Sequence, residues 1–294
     1  MPELPDVQIY VEALVRRIAG LRLEQVRLIS PFVLRTAVPP IDEAQGRRVE
    51  GVRRLGKRVV IALEGDLFIV LHLMIAGRLR WLARGDKPPA RITLALLVFA
   101  TGTLAFTEAG TRKRASLHLV RGRAALDTFD RGGVEIGDLD AAAFAVRLQH
   151  ENHTLKRALT DPRLFSGIGN AYSDEILHRA RLSPLALTRK LAPDETRRLH
   201  AAAISVLDEW TARLRRAAGD DFPDGVTAFR PEMAVHGKFG AHCPDCGAPV
   251  QRIVYAENET NYCARCQTGG RLLADRALSR LLKASFPRSI DELG

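Results

Sequence analysis

The sequence predicts a multidomain α+β protein: an N-terminal antiparallel β-sandwich with flanking helices, a helical middle part and a C-terminal β-hairpin. Three observations predict this fold. Between residues 21 and 120, short β-like runs alternate with turns and no helical pattern intervenes, which is typical of an antiparallel sandwich or barrel. Residues 138 to 218 contain alanine-rich stretches of helical character. Two closely spaced cysteine pairs follow, separated by room for two short strands.

Length and composition are those of an ordinary globular protein. A chain of 294 residues with 46% hydrophobic content can bury a large core and divide into two or three domains. No apolar run reaches the roughly 18 residues that span a bilayer, and the N-terminus lacks a signal-peptide pattern. We therefore expect a cytoplasmic protein of bacterial type, with no membrane partner.

The positive charge of the chain is unevenly distributed. The whole chain carries a formal net charge of +10, yet residues 45–123 alone hold sixteen Lys/Arg against five Asp/Glu, a net charge of +11. A solvated basic face would explain this distribution, and so would a polyphosphate partner. Arginine predominates in this region, and its forked guanidinium suits phosphate. Nucleic acid is therefore the predicted partner.

The N-terminus combines an amine with a carboxyl group. A proline after the initiator Met1 is small enough for the methionine to be removed, which would expose the secondary amine of Pro2. An α-amino group has a reference pKa of about 7.7–8.0, so a useful fraction is a neutral nucleophile near pH 7. Glu3 is adjacent and could move protons. The alternative is that Pro2 and Pro5 only stiffen the start of a helix.

That first helix is predicted from apolar residues at helical spacing. Val7, Val11, Leu14 and Ile18 recur every three to four residues until Gly20. Asp6 lies in the first turn, where negative charge is favourable. The helix would fix the N-terminus against a core.

Predicted strands and turns follow, and they place two basic candidates. The clearest strands are Arg58–Leu63, Leu67–Leu73, Arg91–Phe99 and Thr103–Thr107, with tight connections at Gly65-Asp66 and Thr101-Gly102. Lys57 directly precedes a strand, where a lysine is a candidate functional residue or a solvated strand end. The basic run 112–114 lies in a glycine-containing loop.

The helical part contains a glycine-rich interruption. Helices are predicted over Asp140–Arg147 and Pro193–Arg216, and residues 165–172 (FSGIGNAY) separate two helices. Glycines there would let a ligand approach the backbone, and the next helix would offer free N–H groups to an anion. A structural helix–helix corner is the alternative. Residues 218–226 are polar and predict a linker.

The four cysteines predict a structural zinc site. Cys243, Cys246, Cys263 and Cys266 form two CxxC pairs sixteen residues apart, with no cysteine left over. In a cytosolic chain this pattern indicates tetrahedral zinc with no open position for a catalytic water. His236 and His242 are interpreted as bystanders or phosphate contacts.

The tail begins after Gly269-Gly270. Its leucines suggest one more amphipathic helix, without a functional interpretation: Leu272, Leu273, Leu278, Leu281 and Leu282. The predicted domains are residues 1–131, 132–226, 227–268 and 269–294.

Together these motifs resemble the formamidopyrimidine-DNA glycosylase/endonuclease VIII family of base-excision repair enzymes, over nearly all of the first 268 residues. The resemblance rests on five motifs in order: PELPD at 2–6, Lys57 before a strand, HLMIAG at 72–77, GIGNAY at 167–172 and the four-cysteine finger. Leu4 favours the formamidopyrimidine branch.

The resemblance implies a bifunctional DNA glycosylase/AP lyase that acts on oxidised purines in duplex DNA, with a helix-two-turn-helix DNA-binding domain and one structural Zn²⁺. No organic cofactor is expected, and the protein is expected to be a nucleoid-associated monomer. The implied catalytic residues are Pro2, Glu3 and Lys57. The implied DNA-binding residues are His72, Ile75, Arg114, Asn170 and Lys238.

Several positions depart from the family pattern. Asp6 replaces the usual Glu and should accept hydrogen bonds with a shorter reach. Asn258 occupies the position of an arginine that commonly binds phosphate in the family, and asparagine carries no charge. In the wedge that fills the vacated base stack, Ile75 aligns with a Met, although Met74 adjoins it, and Ala115 stands where a Phe is usual.

Two other functions therefore stay open. A non-catalytic damage- or structure-specific DNA-binding protein on the same scaffold would bind abasic DNA without nicking it. A zinc-ribbon transcription factor would explain the finger but would leave the N-terminal motif unexplained.

Overall fold

The structure is a computed structural model that describes residues 1–226, 229–255, 258–273 and 287–293. The chain forms two compact units. Unit 1 comprises Met1–Arg131 and Trp210–Ala228, and unit 2 comprises Gly132–Glu209 and Phe229–Gly294. Among the described residues, no helix is both long and apolar enough to cross a membrane.

Unit 1 begins with the predicted amphipathic helix, α1 (Leu4–Ile18). Pro5 lies in its first turn, where a missing backbone N–H costs nothing, and a capping box between Glu3 and Asp6 closes the N-terminus. Val7, Leu14 and other residues of one face are buried in the core of unit 1.

Eight strands of unit 1 form two antiparallel four-stranded sheets. The strands are β1 (Leu23–Leu28), β2 (Val49–Leu55), β3 (Arg58–Leu63), β4 (Leu67–His72), β5 (Gly77–Leu82), β6 (Thr93–Phe99), β7 (Gly102–Glu108) and β8 (Ser116–Arg121). One sheet has the order β1-β6-β7-β5 and the other β2-β3-β4-β8. The predicted strands are confirmed to within two residues at each end.

The two sheets share one core, which confirms the predicted sandwich. On β3, Val59, Ile61 and Leu63 face this shared core with α1, because side chains of a strand alternate between faces. Val60 faces the opposite side, where it packs with Val70 and a short helix, α2 (Arg123–Asp127).

The predicted linker is part of this core. Phe222 lies 5.6 Å from Tyr10 and 6.3 Å from Trp81, between ring centroids, and Val226 is buried. The linker prediction was wrong because two apolar side chains in a polar segment are enough to anchor it.

Unit 2 contains helices followed by the hairpin. Its helices are α3 (Ala141–Gln149), α4 (Leu155–Thr160), α5 (Asn170–Arg179) and the first part of α6 (Pro193–Ala218), which continues into unit 1. Phe144 stacks between Phe165 and His200 at centroid distances of 5.2 and 4.8 Å.

The C-terminal hairpin consists of β9 (Val250–Tyr255) and β10 (Asn258–Cys263), followed by α7 (Ala264–Thr268). Val250, Ile253 and Tyr262 form a small core with two of the cysteines. The hairpin confirms the prediction of two strands between the CxxC pairs. In the predicted tail helix, Leu278, Leu281 and Leu282 lie outside the described residues.

Candidate functional site

The start of the chain is buried at the N-terminus of α1. Pro2 is buried, and the side chains of Glu3 and Asp6 are 2% and 0% exposed. The backbone N–H of Glu3 donates to Asp6 Oδ2 at 3.0 Å. Asp6 thus does accept a hydrogen bond, as predicted, and its partner is the backbone of the neighbouring candidate acid.

The terminal amine lies in a mixed electrostatic environment. Burial lowers the pKa of the Met1 α-amino group; Glu3 and Asp6 oppose this shift, whereas Arg78 and Lys57 reinforce it. A lowered pKa leaves more of an amine neutral near pH 7, which is the nucleophilic form. Glu3 and Lys57 thus both act on the charge of the chain terminus that precedes Pro2.

Lys57 occupies the tip of a tight hairpin. Leu55 pairs with Arg58 across β2 and β3, so only Gly56 and Lys57 form the turn, and Gly56 has a φ of 59°. Two-residue hairpin turns favour glycine at positive φ. The sequence Gly-Lys before a strand is explained by this turn.

His72 is neutral at pH 7. Burial lowers its pKa to about 4, and the nearby charges of Arg58, Lys57, His118 and Arg131 act in the same direction. A neutral imidazole can donate one hydrogen bond and accept another. His72 lies at the end of β4, on the same sheet as Lys57.

The turn after β4 presents an apolar side chain to solvent. Ile75 is 56% exposed, and Met74 has a φ of 53°, which is unusual for a non-glycine residue. The N–H of Gly77 donates to Leu73 O at 2.8 Å, and Arg78 Nη1 donates to Ile75 O at 3.1 Å. Sequence reasoning missed Arg78, which holds this turn and also acts on the terminal amine.

A buried carboxylate holds the basic loop before β8. Glu108 is 1% exposed and accepts the backbone N–H groups of Arg114 and Ala115 at 3.0 and 3.2 Å. The Arg114 side chain is exposed, whereas Ala115 is 2% exposed and packs in the shared core. Ala115 is therefore a core residue, and the exposed part of the loop ends at Arg114.

In unit 2, the glycine-rich turn contacts the hairpin. Asn170 begins α5, and its Nδ2 donates to Glu259 O at 2.8 Å, while its carbonyl accepts Lys156 Nζ at 2.7 Å. Asn170 thus links the helical part to β10. This contact with Glu259 was not foreseen.

Two adjacent carboxylates on α5 hold the segment before the cysteines. Asp174 accepts Lys156 Nζ at 2.6 Å and the His236 ring at 2.8 Å. Glu175 accepts the N–H groups of residues 234, 235 and 236 at 2.8–3.0 Å. Both are buried, and sequence reasoning missed them because acidic residues on a helix ordinarily face solvent.

Four other residues singled out from the sequence lie in or near this segment or on the hairpin. His236 is 5% exposed and its Nδ1 lies 2.8 Å from Asp174 Oδ2, which favours the bystander of the two predicted roles. Lys238 is half-buried, and His242 is exposed, with its Nδ1 2.9 Å from Gly247 O. The side chain of Asn258 lies outside the described part of the chain.

The four cysteines converge on one point. Their Sγ atoms all lie within 4.8 Å of one another, with 3.9 Å between Cys243 and Cys266 and 3.4 Å between Cys246 and Cys263. Thiolates at ~2.3 Å around a tetrahedral zinc are separated by ~3.8 Å, so these residues fit the metal. With four thiolates, the zinc is structural.

Three family models match consecutive parts of the chain. They are the formamidopyrimidine-DNA glycosylase N-terminal domain at residues 1–116, the formamidopyrimidine-DNA glycosylase H2TH domain at residues 135–215, and a zinc finger found in FPG and IleRS at residues 242–269.

Curated relatives match over most of their length. The formamidopyrimidine-DNA glycosylase of Thermus thermophilus is 36% identical over 278 residues, which are 92% of this chain and 100% of the relative. The Heliobacterium modesticaldum enzyme of the same name is 34% identical and covers 91% and 100%. An uncharacterised formamidopyrimidine-DNA glycosylase-like protein of Mycobacterium tuberculosis is 40% identical over 151 residues, covering 51% and 94%.

Solved structures give the same result. A Lactococcus lactis Fpg complex with DNA containing an oxidised pyrimidine has a TM-score of 0.80 and 28% identity, covering 91% of this chain and 100% of that one. A complex of the L. lactis protein with abasic-site DNA has a TM-score of 0.80 and 26% identity, covering 90% and 99%. The chain belongs to the formamidopyrimidine-DNA glycosylase family of base-excision DNA glycosylases.

Proposed function

We propose that this chain removes oxidised bases from duplex DNA and then nicks the strand, using the amine of Pro2 after loss of Met1. The observation that carries this proposal is the buried N-terminus, where Glu3 and Lys57 act on the charge of the Met1 amine, which the Pro2 amine would replace, and where Asp6 accepts the Glu3 N–H. Membership in a glycosylase family supports the reaction class.

The chemistry follows from an amine attacking a sugar carbon. The Pro2 nitrogen forms a bond to C1′ as the C1′–base bond breaks, and the base leaves with a proton. Glu3 assists opening of the sugar ring by proton transfer, which yields an iminium between Pro2 and the open sugar. Loss of a C2′ proton then expels the 3′ phosphate, assisted by Lys57, and a second elimination expels the 5′ phosphate.

Five residues are proposed to hold the DNA. His72, Asn170 and Lys238 would contact backbone phosphates, which fix register without reading sequence. The damaged nucleotide must leave the stack for its C1′ to be reached. Ile75 and Arg114, both exposed, would fill the space it vacates. Met74 adjoins this wedge and would support it.

The substrate class proposed is an oxidised purine, acted on by a monomer at the nucleoid in the cytoplasm. The proposed sequence domains are residues 1–131, 132–226, 227–268 and 269–294, although by contacts residues 210–226 belong with unit 1. The finger carries Asn258 in place of a phosphate-binding arginine. Homologous L. lactis structures contain abasic or oxidised DNA, which supports a damaged-DNA ligand here.

Covalent trapping tests the mechanism. The protein is incubated with abasic-site duplex and borohydride, which reduces an imine to a stable adduct. We expect a trapped complex for the unaltered protein and a greatly weakened one in Pro2→Gly. Pro40→Gly, at an exposed proline, is the matched control and should trap normally.

The binding-protein alternative makes the opposite prediction. Tight binding to abasic DNA without any adduct would refute the lyase mechanism and leave a non-catalytic damage-binding protein. If an adduct does form, an incision assay across a panel of oxidised bases would identify the substrate.

A further inference from the structure

The outer face of the sheet β2-β3-β4-β8 changes character along its strands. At one end, Val60, Val70 and Leu126 form an apolar cluster. At the other end, Arg58 pairs directly with His72 across β3 and β4, so their side chains project on the same face. The outer face of this sheet is thus apolar at one end and cationic at the other.

Phe129 lies at the centre of the cationic end. Arg58 Nη1 donates to Phe129 O at 3.2 Å, and its guanidinium carbon is 5.8 Å from the centroid of the Phe129 ring. The His118 ring meets that of Phe129 edge-on at 4.8 Å. We call five residues the Phe129 cluster: Arg58, His72, His118, Phe129 and Arg131.

The pKa shifts in this cluster all have cationic causes besides burial. Burial lowers the pKa of Arg58, and the charge of Arg131 adds to the shift. Burial, Arg58 and Arg35 lower the pKa of His118. No carboxylate opposes either shift within the part of the chain that the structure describes. The half-buried Arg58 and the exposed Arg131 repel each other, so an anion bound beside them would be stabilised.

We propose that Arg58, His118 and Arg131 of the Phe129 cluster bind a second backbone phosphate of DNA, next to the one proposed for His72. This inference rests on the proposed function, because it takes damaged duplex DNA as the ligand. Planar guanidiniums match phosphate oxygens in pairs, and neutral His118 can add a single N–H. Asn258 brings no charge to the finger, so cations in unit 1 supply phosphate contacts instead.

Replacing single charged phosphates by neutral ones tests which phosphate the Phe129 cluster contacts. Binding is measured on a duplex with a stable abasic-site analogue, in which single phosphates near the lesion are replaced by methylphosphonates. We expect Arg58→Gln with Arg131→Gln to weaken binding about tenfold and to reduce the salt slope by about one to two. At the phosphate that the cluster contacts, a methylphosphonate removes the charge that the two arginines would bind. The double variant and the unaltered protein should therefore bind that duplex equally.

Two controls separate this result from folding and from catalysis. Arg27→Gln removes an exposed arginine on the other sheet and should leave the methylphosphonate profile unchanged. Arg58→Lys should restore part of the affinity. Equal weakening at every methylphosphonate position, or none at all, would overturn the inference. Borohydride trapping at saturating protein tests Pro2 separately, so failure of either proposal is distinguishable.

A different observation carries a second inference, about the zinc centre. His178, on α5, is 4% exposed, and its Nε2 lies 3.3 Å from Cys243 Sγ and 4.0 Å from an oxygen of Asp245. Sulfur accepts an N–H at this distance, and four thiolates around Zn²⁺ carry excess negative charge that such a donor relieves. The same helix begins at Asn170.

We infer that His178 is a positioning residue that donates its ring N–H to the Cys243 thiolate and ties the metal to α5. His178→Phe should release zinc to a chelator about tenfold faster. It should also shift the sulfur-to-metal charge-transfer band of the Co²⁺-substituted protein. His178→Gln, which keeps an N–H donor, should restore both values in part.

A buried histidine elsewhere in unit 2 is the matched control. His200→Gln removes a ring that stacks on Phe144, and it should leave zinc release and the Co²⁺ spectrum unchanged. If His178→Phe unfolds the finger, the His178→Gln spectrum alone decides the question. Unchanged zinc release and spectra in the folded His178 variants would overturn the inference.

Discussion

At the residue scale, Asp6 links helix capping to the chemistry proposed for Glu3. Its carboxylate is fully buried and accepts the Glu3 N–H, so Asp6→Ala removes an N-terminal cap and frees the backbone of the candidate acid. We expect a loss of about 1–2 kcal/mol in the free energy of unfolding and a marked fall in the trapping rate. Urea unfolding and single-turnover trapping measure the two effects.

Asp140 provides the comparison. It caps α3 by accepting the Ala143 N–H at 2.7 Å and has no part in the proposed chemistry. Asp140→Ala should cost similar stability and leave the trapping rate unchanged. A normal trapping rate in Asp6→Ala would show that the Glu3 backbone need not be fixed.

His72 should make stability depend on pH. Its folded-state pKa of about 4 lies below the ordinary value of 6.5, so the folded state binds fewer protons than the unfolded state between these values. The contribution of neutral His72 is present above about pH 6.5 and is lost as the pH falls toward 4. Because the side chain is half-buried, we expect a loss of about 1–2 kcal/mol.

The comparison is with His72→Asn, which cannot titrate in this range. Urea unfolding at pH 7 and pH 4.5 should show a smaller loss of stability on acidification in the variant than in the unaltered protein. Identical losses would mean that His72 is not the titrating group.

Residues that act through local sequence were predictable, and those that act through distant partners were not. The CxxC spacing of the cysteines predicts the cluster that their Sγ atoms form, and the adjacency of Pro2 and Glu3 is visible in the first six residues. Asp174 and His178 lie on a helix whose sequence gives no sign that their partners are 62 and 65 residues away.

At the element scale, the turn between β4 and β5 depends on one glycine. A Cβ on Gly77 would lie 2.2 Å from the Leu73 carbonyl oxygen, a contact that the backbone cannot accept without moving. Gly77→Ala should therefore destabilise the protein by about 2–4 kcal/mol and displace Ile75. Unfolding and incision of lesion-containing duplex are the measurements.

Gly51, on β2, is the matched glycine. A Cβ there meets nothing within 4 Å, and Gly51→Ala should be neutral or slightly stabilising. If Gly77→Ala incises lesion DNA normally, the position of Ile75 does not matter for activity.

Elements with a clear period were predicted, and an irregular one was not. The unbroken apolar run from Val59 to Leu63 matches β3, because one face of that strand lies in the shared core and the other face packs in the cluster with Val70 and α2. Residues 219–226 have no period, and only the three-dimensional position of Tyr10 and Trp81 makes Phe222 an anchor.

At the scale of the whole molecule, positive charge is concentrated in unit 1. The net charge of +11 in residues 45–123 exceeds that of the entire chain. If about five phosphates are neutralised, log K should fall with log salt with a slope of about −4 to −5. A flat response between low and physiological salt would contradict a phosphate-based interface.

Zinc removal should affect the two units differently. The finger core is small, and the free energy of metal binding supplies much of its folding free energy, so chelation should unfold residues 242–268. Unit 1 has its own core of α1 and two sheets and should stay folded. Hydrogen exchange after treatment with a strong chelator should rise in the finger while β3 and β4 remain protected.

DNA affinity should fall after chelation, whereas trapping at high protein concentration should persist, because the Pro2 amine, Glu3 and Lys57 all belong to unit 1. Global loss of protection on chelation would show instead that the zinc centre supports both units.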